Sequence, residues 1–254
     1  GNASVTSGQT VTPWGKGNVT IGGGAGTIAV TFSGLNSNAA MGGVALDGDI
    51  TLKGVNAATR LNIFTGASGN MVLNGKVSVE TSGSGTAMIS SGDMLRMEGG
   101  LGGTGTLAVN TRNNVGALTL GGDVSGFSGT LNLTGSNLYL DADTALAGTL
   151  NASSAKVTAL RSQNVTGTLN AASLAVDGTA LSADGAVLTV ANLALGADAG
   201  VSLNIDGNVA EGTYTLVGWD TLTSGNFVDA NSMTLTGTLA GLYQGTFTVD
   251  TAGK

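Results

Sequence analysis

A repeated tripeptide constrains the fold of this 254-residue chain more than any other sequence feature. Gly-Thr-Leu occurs at 105–107, 129–131, 148–150, 167–169 and 237–239, and the first four copies follow one another closely. A second family of the form Leu-x-Gly-charged-β-branched occurs in steps of 27 and 47 residues, at 46–52, 73–79 and 120–126. The longer step is close to twice the spacing between the first two Gly-Thr-Leu copies. A repeat of about 20–25 residues has the length of one coil of a parallel β-helix.

The local pattern between the glycines predicts short strands. Runs such as "TLNLTG" and "NLYLD" alternate Leu, Val or Ile with Thr, Ser or Asn, which is typical of a half-buried strand. Gly makes up 44 residues and Pro one, without a collagen-like period, so we expect glycines at tight turns. Stacked coils bury leucine on leucine in a continuous core. Roughly eleven coils about 4.8 Å apart predict a rod on the order of 50 Å long. The predicted core residues are Leu131, Leu133, Leu138, Leu140, Leu150, Leu169, Leu174 and Val176.

The ends of such a rod expose unpaired strand edges, which proteins usually cover. Half of the ten aromatic residues fall near the end of the chain: Tyr214, Trp219, Phe227, Tyr243 and Phe247. We therefore predict one continuous domain with a repeat body at 1–208 and a hairpin-like C-terminal cap at 209–254. Pro13 and Trp14 are expected to cover the opposite end.

Composition excludes several classes of function. Without cysteine the chain has no disulfide or thiolate metal site, and without histidine it lacks the commonest general base. A net charge of −7 argues against nucleic acid or an anionic membrane as partner. Eight acidic residues and no Lys or Arg lie between Ser162 and Gly253, which predicts a solvated acidic face or, alternatively, a cation-binding surface. No apolar run is long enough for a membrane span, and the first residues contain no signal-peptide pattern.

The stretch 101–140 brings these features together. "LGGTGTLAVN" and "GALTLGGDVSGFSGTLNLTGSNLYL" resemble the passenger-associated transport repeat of bacterial autotransporters, in which a G-x-G-T-L strand leads to a Ser-Gly turn and a Gly-rich apolar strand. The closing "GTYTLVGWDTLTSGNF" is similar to C-terminal segments of such passengers. The positions that match the repeat are Gly103, Gly105, Thr106, Leu107, Phe127, Ser128, Gly129, Leu138 and Leu140.

This resemblance implies a right-handed, single-stranded parallel β-helix on the outer surface of a Gram-negative-type bacterium, or secreted from it. It implies no single activity, because passengers include adhesins, proteases and lipases. No translocator-barrel pattern follows the repeats in these residues, so we expect either a barrel outside this segment or a surface protein exported by another route.

Two short motifs match catalytic or nucleotide-binding patterns by chance. "GLGGTG" at 100–105 satisfies G-x-G-x-x-G, but a strand-like run follows where a dinucleotide site needs a helix. Ser153 and Lys156 satisfy S-x-x-K, but the helical turn and further partners of that dyad are missing. We predict no catalytic, cofactor-binding or metal-binding residue at either motif or elsewhere in the chain, and no cofactor.

Two pairs of carboxylates carry the remaining chemical signal. Asp47 and Asp49, like Asp141 and Asp143, are two residues apart, which on a strand places their Cα atoms about 6.5–7 Å apart on one face. That spacing overlaps the carboxyl separations of glycosidases. The alternatives are corners in which Asp binds backbone N–H groups, and a weak Ca²⁺ site. We predict corners.

The sequence thus predicts a monomeric, non-enzymatic surface segment with a structural or adhesive role. Its partners are expected to be host glycans or other cell-surface molecules, which contact Thr, Asn and Ser ladders on a flat face. One alternative is a glycan-binding module or polysaccharide hydrolase or lyase that uses an Asp pair. Another is a passive segment that carries a longer chain outward.

Overall fold

The structure is a computed structural model that describes residues 17–23, 27–35, 44–65, 70–111, 116–227 and 233–250. Strands account for 58% of it and the described residues contain no α-helix, which confirms the all-β prediction. The described strands are β1 Val19–Gly22, β2 Ile28–Leu35, β3 Val44–Leu46, β4 Ile50–Val55, β5 Ala58–Thr65, β6 Asn70–Leu73, β7 Val77–Ser82, β8 Thr86–Ser90, β9 Met94–Met97, β10 Leu101–Gly103, β11 Thr106–Asn110, β12 Ala117–Gly122, β13 Thr130–Thr134, β14 Asn137–Ala142, β15 Thr149–Ala159, β16 Gln163–Asp177, β17 Leu188–Leu195, β18 Val201–Asn204, β19 Val217–Ser224 and β20 Thr234–Thr236.

These strands lie in three rows, and neighbours within each row are parallel. The first row is β1-β4-β7-β10, and isolated bridges such as Gly103 with Phe127 extend it. The second row begins β2-β5-β8-β11-β13, and the third begins β3-β6-β9-β12-β14. The long strands β15 and β16 each run through more than one row, which joins the second and third rows into one curled sheet. Consecutive strands of the chain therefore occupy consecutive rows, and we call one traverse of the three rows a pass.

The register places identical residues of successive passes side by side. Leu107 pairs with Leu131, and the same column continues through Leu150 and Leu169. The four preceding threonines pair in the same order. The first four Gly-Thr-Leu copies therefore stack, as their spacing predicts. The fifth copy does not join this column, because it follows the last registered pair of β20, Thr236 with Asn204.

The second sequence family stacks in the third row. Leu46 pairs with Leu73, Leu73 with Met97, and Met97 with Leu120. The longer step between the copies of this family therefore covers two passes, and Met97 occupies the position of the missing copy.

The described strands make nine passes, whereas a uniform period predicted eleven. Pass length varies, because Leu150 pairs with Leu169 but Leu203 pairs with Leu235, which follows it after a much longer stretch of chain. The longer passes contain loops, including 178–187 and 205–216, so fewer passes use up the same length of chain.

Alternating side chains fill the space between the rows. In β14 the exposure alternates from partly exposed Asn137 to buried Leu138 and onward along the strand. Burying one such leucine stabilises the fold by about 1.5–3 kcal/mol relative to leaving it exposed. The predicted core is confirmed, because all eight of its members are buried: Leu131, Leu133, Leu138, Leu140, Leu150, Leu169, Leu174 and Val176.

Glycine is required where the backbones of successive passes touch. A Cβ added to Gly129 would lie 2.0 Å from the carbonyl oxygen of Gly105. A Cβ added to Gly167 would lie 2.1 Å from the carbonyl oxygen of Gly148. Real Cβ atoms do not come this close to backbone, so the Gly of each stacked Gly-Thr-Leu copy is set by packing between passes.

The C-terminal region continues the parallel rows, and the prediction of a hairpin there is wrong. β19 pairs with β17 and β20 pairs with β18, both in parallel. Longer loops hide the repeat period in this part of the sequence, so its strands do not look like further copies of the repeat. The aromatic side chains of this region are partly buried, and they are Tyr214, Trp219, Phe227, Tyr243 and Phe247.

Two contacts hold these aromatic residues within the C-terminal region. The rings of Trp219 and Phe227 lie with centroids 5.0 Å apart, and the Tyr243 hydroxyl accepts a hydrogen bond from the Val209 N–H at 2.9 Å. Pro13 and Trp14 lie outside the described residues. The division at residue 208 stays a prediction. Among the described residues, none of the helical segments has the length or apolar character to cross a membrane.

Candidate functional site

The two predicted Asp pairs lie at the same corner of the molecule. Leu46 and Leu140 belong to one column of the third row, in which they are connected through Leu73, Met97 and Leu120. Each pair directly follows its leucine, at the bend that leads back towards the first row. The two pairs therefore occupy equivalent positions four passes apart. The hydrogen bonds and ion pairs of each pair depend on the residues of the next pass.

Asp47 and Asp49 both form hydrogen bonds to residues of neighbouring passes. Asp47 Oδ1 accepts from Asn74 Nδ2 at 2.7 Å, and Asp49 Oδ1 accepts from the Lys76 N–H at 2.9 Å. The Asp49 N–H donates to Asn18 Oδ1 at 3.1 Å. Asp49 thus binds a backbone N–H at a corner, as the corner prediction requires.

The Asp141–Asp143 pair is held by one guanidinium group. Arg161 Nε donates to Asp141 Oδ1 at 2.5 Å, and its terminal nitrogen donates to Asp143 Oδ1 at 2.7 Å. The hydrogen bond and charge of Asp141 contribute most to raising the pKa of Arg161, and Asp143 adds to the shift. The Asp141 side chain is 23% exposed and that of Asp143 is 62% exposed. We name Asp141, Asp143 and Arg161 the carboxylate–arginine cluster.

A shallow groove of about 280 Å³ adjoins the cluster. Polar groups dominate its lining, which is formed by Ala142, Asp143, Thr144, Ala145, Ser162, Gln163, Asn164 and Thr189. The floor is held by buried Gln163, whose Nε2 donates to the carbonyl oxygens of Ala142 and Ser162, both at 3.0 Å. This bonding connects the backbone of Ala142, between the two aspartates, to that of Ser162, next to Arg161, so the groove adjoins the cluster directly.

Tyr139 lies on the same face as the cluster. It points outward from β14, two residues before Asp141, because Leu138 and Leu140 point into the core. Its register partners are Thr119 and Thr158, which occupy outward positions and yet are only 4% and 6% exposed. Thr158 Oγ1 is buried and has no hydrogen-bond partner within the described residues. Neighbouring side chains therefore cover both threonines.

A third carboxylate occupies the corner column between the two pairs. Asp123 Oδ1 accepts from the Ser125 hydroxyl at 2.6 Å and N–H at 3.0 Å, and from the Thr144 hydroxyl at 3.0 Å. Its Oδ2 forms an ion pair with Lys76 Nζ at 3.1 Å. The Ser125 bonds, followed by those from Lys76 and Thr144, hold the pKa of Asp123 far below its usual value. The Thr144 bond reaches the next pass and the Lys76 ion pair reaches back over two passes, which is a structural role.

Acidic residues of the Lys- and Arg-free stretch also bind across passes. Asp206 Oδ1 accepts from the Thr238 N–H at 2.7 Å and hydroxyl at 2.9 Å, which, with Asn204, lowers its pKa. Asp198 Oδ1 accepts from Asn226 Nδ2 at 2.7 Å. Within the described part of the chain, no cluster of three or more acidic residues could hold a metal ion.

The two chance motifs lie in strands. Gly100 to Gly105 cover β10 and the turn into β11, so the residues after the motif are a strand, as expected. Ser153 and Lys156 are exposed residues of β15, where a dyad would need a helical turn.

Sequence reasoning missed Arg161, Gln163 and Tyr139 as neighbours of an Asp pair. The register that carries Leu140 onto Ala159 leads, when continued along both chain segments, from Ala142 to Arg161. Ala142 is the residue between Asp141 and Asp143, so Arg161 follows the pair by one local repeat step. The period that organised the leucines could therefore have located this arginine, had it been applied to charged residues as well.

Comparison with known proteins gives no relative that could identify the site. No family model, curated protein or solved structure matches the chain. The resemblance to autotransporter passenger repeats therefore stays a prediction carried by residues 101–140, and any function has to follow from the geometry of the molecule itself.

Proposed function

We propose that the chain is a parallel β-helix, one strand per row in each coil, that serves as a non-enzymatic structural or adhesive segment on a bacterial surface. The carrying observation is the in-register stacking of Thr106, Thr130, Thr149 and Thr168 above a matching column of leucines. A right-handed coil and surface exposure follow from the resemblance of residues 101–140 to passenger repeats.

The adhesive surface proposed is the outward face of the second row. Beside the threonines runs a second column, in which Asn132 pairs with Asn151 and Asn151 with Asn170. Asn151 Nδ2 donates to Asn132 Oδ1 at 3.0 Å, so part of this column is a fixed hydrogen-bonded ladder. A regular, rigid array of hydroxyl and amide groups binds a partner at low cost in side-chain entropy. We call these threonines and asparagines the ladder face.

The rod itself is tested by small-angle X-ray scattering on the purified chain. Nine coils about 4.8 Å apart give a body on the order of 40 Å long with uniform cross-section. A scattering profile of a closed, near-spherical barrel would contradict the β-helix.

Deletion of residues 209–254 tests the predicted C-terminal cap. A remainder that stays monomeric and as stable as the whole chain would contradict the cap.

The adhesive role is tested by display on a bacterial surface. The double variant Thr149→Lys/Thr168→Lys changes the ladder face, while Thr51→Lys/Ser78→Lys changes equivalent partly exposed positions of the first row. With equal surface amounts confirmed by antibody labelling, attachment to host cells should fall only for the ladder-face variant. Equal attachment by both variants would contradict the assignment of this face.

The carbohydrate alternative is favoured at the carboxylate–arginine cluster, because a groove adjoins Asp143 and Tyr139 lies two residues before Asp141 on the same face. A glycosidase needs two carboxyl groups that act separately, one as acid and one as base or nucleophile. Here one guanidinium engages both Asp141 and Asp143. We therefore expect binding without hydrolysis, and no reducing sugar released from polysaccharides. Release that Asp141→Asn abolishes would establish an enzyme.

A further inference from the structure

We propose that the face around Tyr139 and the carboxylate–arginine cluster is a binding site for a neutral saccharide. This inference rests on the proposed rod and gives its carbohydrate alternative a defined site and ligand class. It is separate from the ladder face, which lies in the second row.

The first element is an aromatic platform. Thr119 and Thr158 flank Tyr139 in the adjacent strands, and both are more than nine-tenths buried although they point outward. Tyr139 is a large, partly exposed side chain in the strand between them, and from their burial we infer that its ring lies across the sheet and covers part of both. The unpaired Thr158 hydroxyl fits such an apolar cover. A ring flat on the sheet presents its other face to solvent, where the C–H face of a sugar can stack.

The second element is a set of oriented hydrogen-bonding groups beside that platform. Asp141 follows Tyr139 by two strand residues, about 7 Å along the sheet. Arg161 engages Oδ1 of Asp141 and of Asp143, which fixes both carboxylates. The hydrogen bonds from Arg161 leave Oδ2 of each carboxylate as an acceptor for sugar hydroxyls. Charge-assisted hydrogen bonds of this kind are stronger than neutral ones.

The third element is the groove, which extends the surface beyond Asp143. Its volume of about 280 Å³ is at the small end of ligand sites, which is enough for one or two sugar rings. Ser162, Asn164 and Thr189 supply further hydroxyl and amide groups along it. Buried Gln163 holds the groove floor, so these groups are preorganised rather than ordered on binding.

Charge selects a neutral ligand. Asp141 and Asp143 are balanced by Arg161 and by Lys156, an exposed residue diagonally across from Tyr139 in the next strand. Arg96 and Glu98, further along the same row, form their own ion pair. The face is thus close to neutral on a chain of net charge −7, which repels uronate, sialyl or sulfated sugars at long range.

The test is a glycan array with neutral and acidic arms, probed with the purified wild-type chain and followed by calorimetric titration of the best neutral oligosaccharide. Tyr139→Ala, Arg161→Gln and Asp143→Asn should each weaken binding roughly tenfold or more, the loss typical of truncating a central contact. Tyr139→Phe keeps the ring and should bind within about threefold of wild type. Asp47→Asn is a matched control four passes from the face and should leave affinity unchanged.

Circular dichroism checks that each variant is folded, and Asp143→Asn keeps the test valid if Tyr139→Ala unfolds, because the Asp143 side chain is mostly exposed. A blank neutral arm, preference for the acidic arm, or loss of binding in Asp47→Asn but not in Asp143→Asn would overturn the proposal. A blank array together with attachment that still depends on Thr149 and Thr168 would refute this site alone. Glycan binding without such attachment would refute the ladder face alone.

Discussion

The two Asp pairs have the same local sequence pattern and the same corner, but the next pass gives them different partners. "LDGDI" at 46–50 accepts hydrogen bonds from an amide side chain and a backbone N–H of the next pass, through one oxygen of each carboxylate. "LDADT" at 140–144 binds a guanidinium group at the surface. In stacked parallel strands, the chemistry of a motif is therefore set by residues about one period away, and the motif alone does not determine it.

The largest expected effect comes from the residue between the two carboxylates. A Cβ at Gly48 would lie 2.0 Å from the carbonyl oxygen of Gly17, whereas Ala142 occupies the corresponding place with its methyl group accommodated. Gly48→Ala should lower the free energy of unfolding by roughly 2–4 kcal/mol, the cost of a backbone clash in a packed site. Ala142→Gly should cost only about 1 kcal/mol. Urea denaturation of both variants measures the contrast, and equal losses would show that the two corners are packed alike.

The next effect concerns the charge partner that distinguishes the second pair. Arg161→Gln leaves two carboxylates without their guanidinium, and the free energy of unfolding should fall by about 0.5–1 kcal/mol, since the group is half exposed. The loss should shrink in high salt, which screens both the lost attraction and the new repulsion. Lys156→Gln removes a positive charge from the same face and should change stability by less than about 0.5 kcal/mol. An Arg161→Gln protein as stable as the Lys156→Gln control would show that the cluster is a surface pairing without energetic weight.

A third effect is visible only in acid and tests the column between the pairs. Hydrogen bonds from Ser125, Lys76 and Thr144 lower the pKa of Asp123 in the folded state. A lowered folded-state pKa gives stability that is present above the unfolded-state pKa, about 3.9, and is lost as the pH falls below it. Asp123→Asn should therefore flatten the decline of the urea midpoint below about pH 4.

Ser125→Ala is the intermediate control for that experiment, because Ser125 is the largest cause of the shift but its backbone N–H remains. Its acid limb should fall between wild type and Asp123→Asn. If all three proteins show the same pH dependence, the corner bonds of Asp123 do not survive in solution as the structure has them.

The sequence predicted the structural features that recur in every pass and missed the features that occur only once. Leucine spacing predicted the core and the stacked Gly-Thr-Leu column, because the same contact recurs in every pass. The repeat period overestimated the number of passes. A hairpin was predicted where β19 and β20 continue the parallel rows, because loops such as 205–216 break the period there. Arg161 was missed because the repeat period was applied to the leucines and not to the charged residues that follow them. Tyr139 was missed because its position is defined by the faces of three adjacent strands.

The smallest expected effect separates a hydrogen bond that needs only an acceptor from one that needs charge. In Asp49→Asn the amide oxygen still accepts from the Lys76 N–H, so the free energy of unfolding should change by less than about 0.5 kcal/mol. In Asp143→Asn the same isosteric change removes one of the two charges facing Arg161 and should reduce the salt sensitivity of stability. Urea denaturation of both variants at low and high salt measures this, with the charge change identical in the two proteins. An equal salt response in both would mean that the two corners do not differ electrostatically, and the distinction between them would then rest on packing at Gly48 and Ala142 alone.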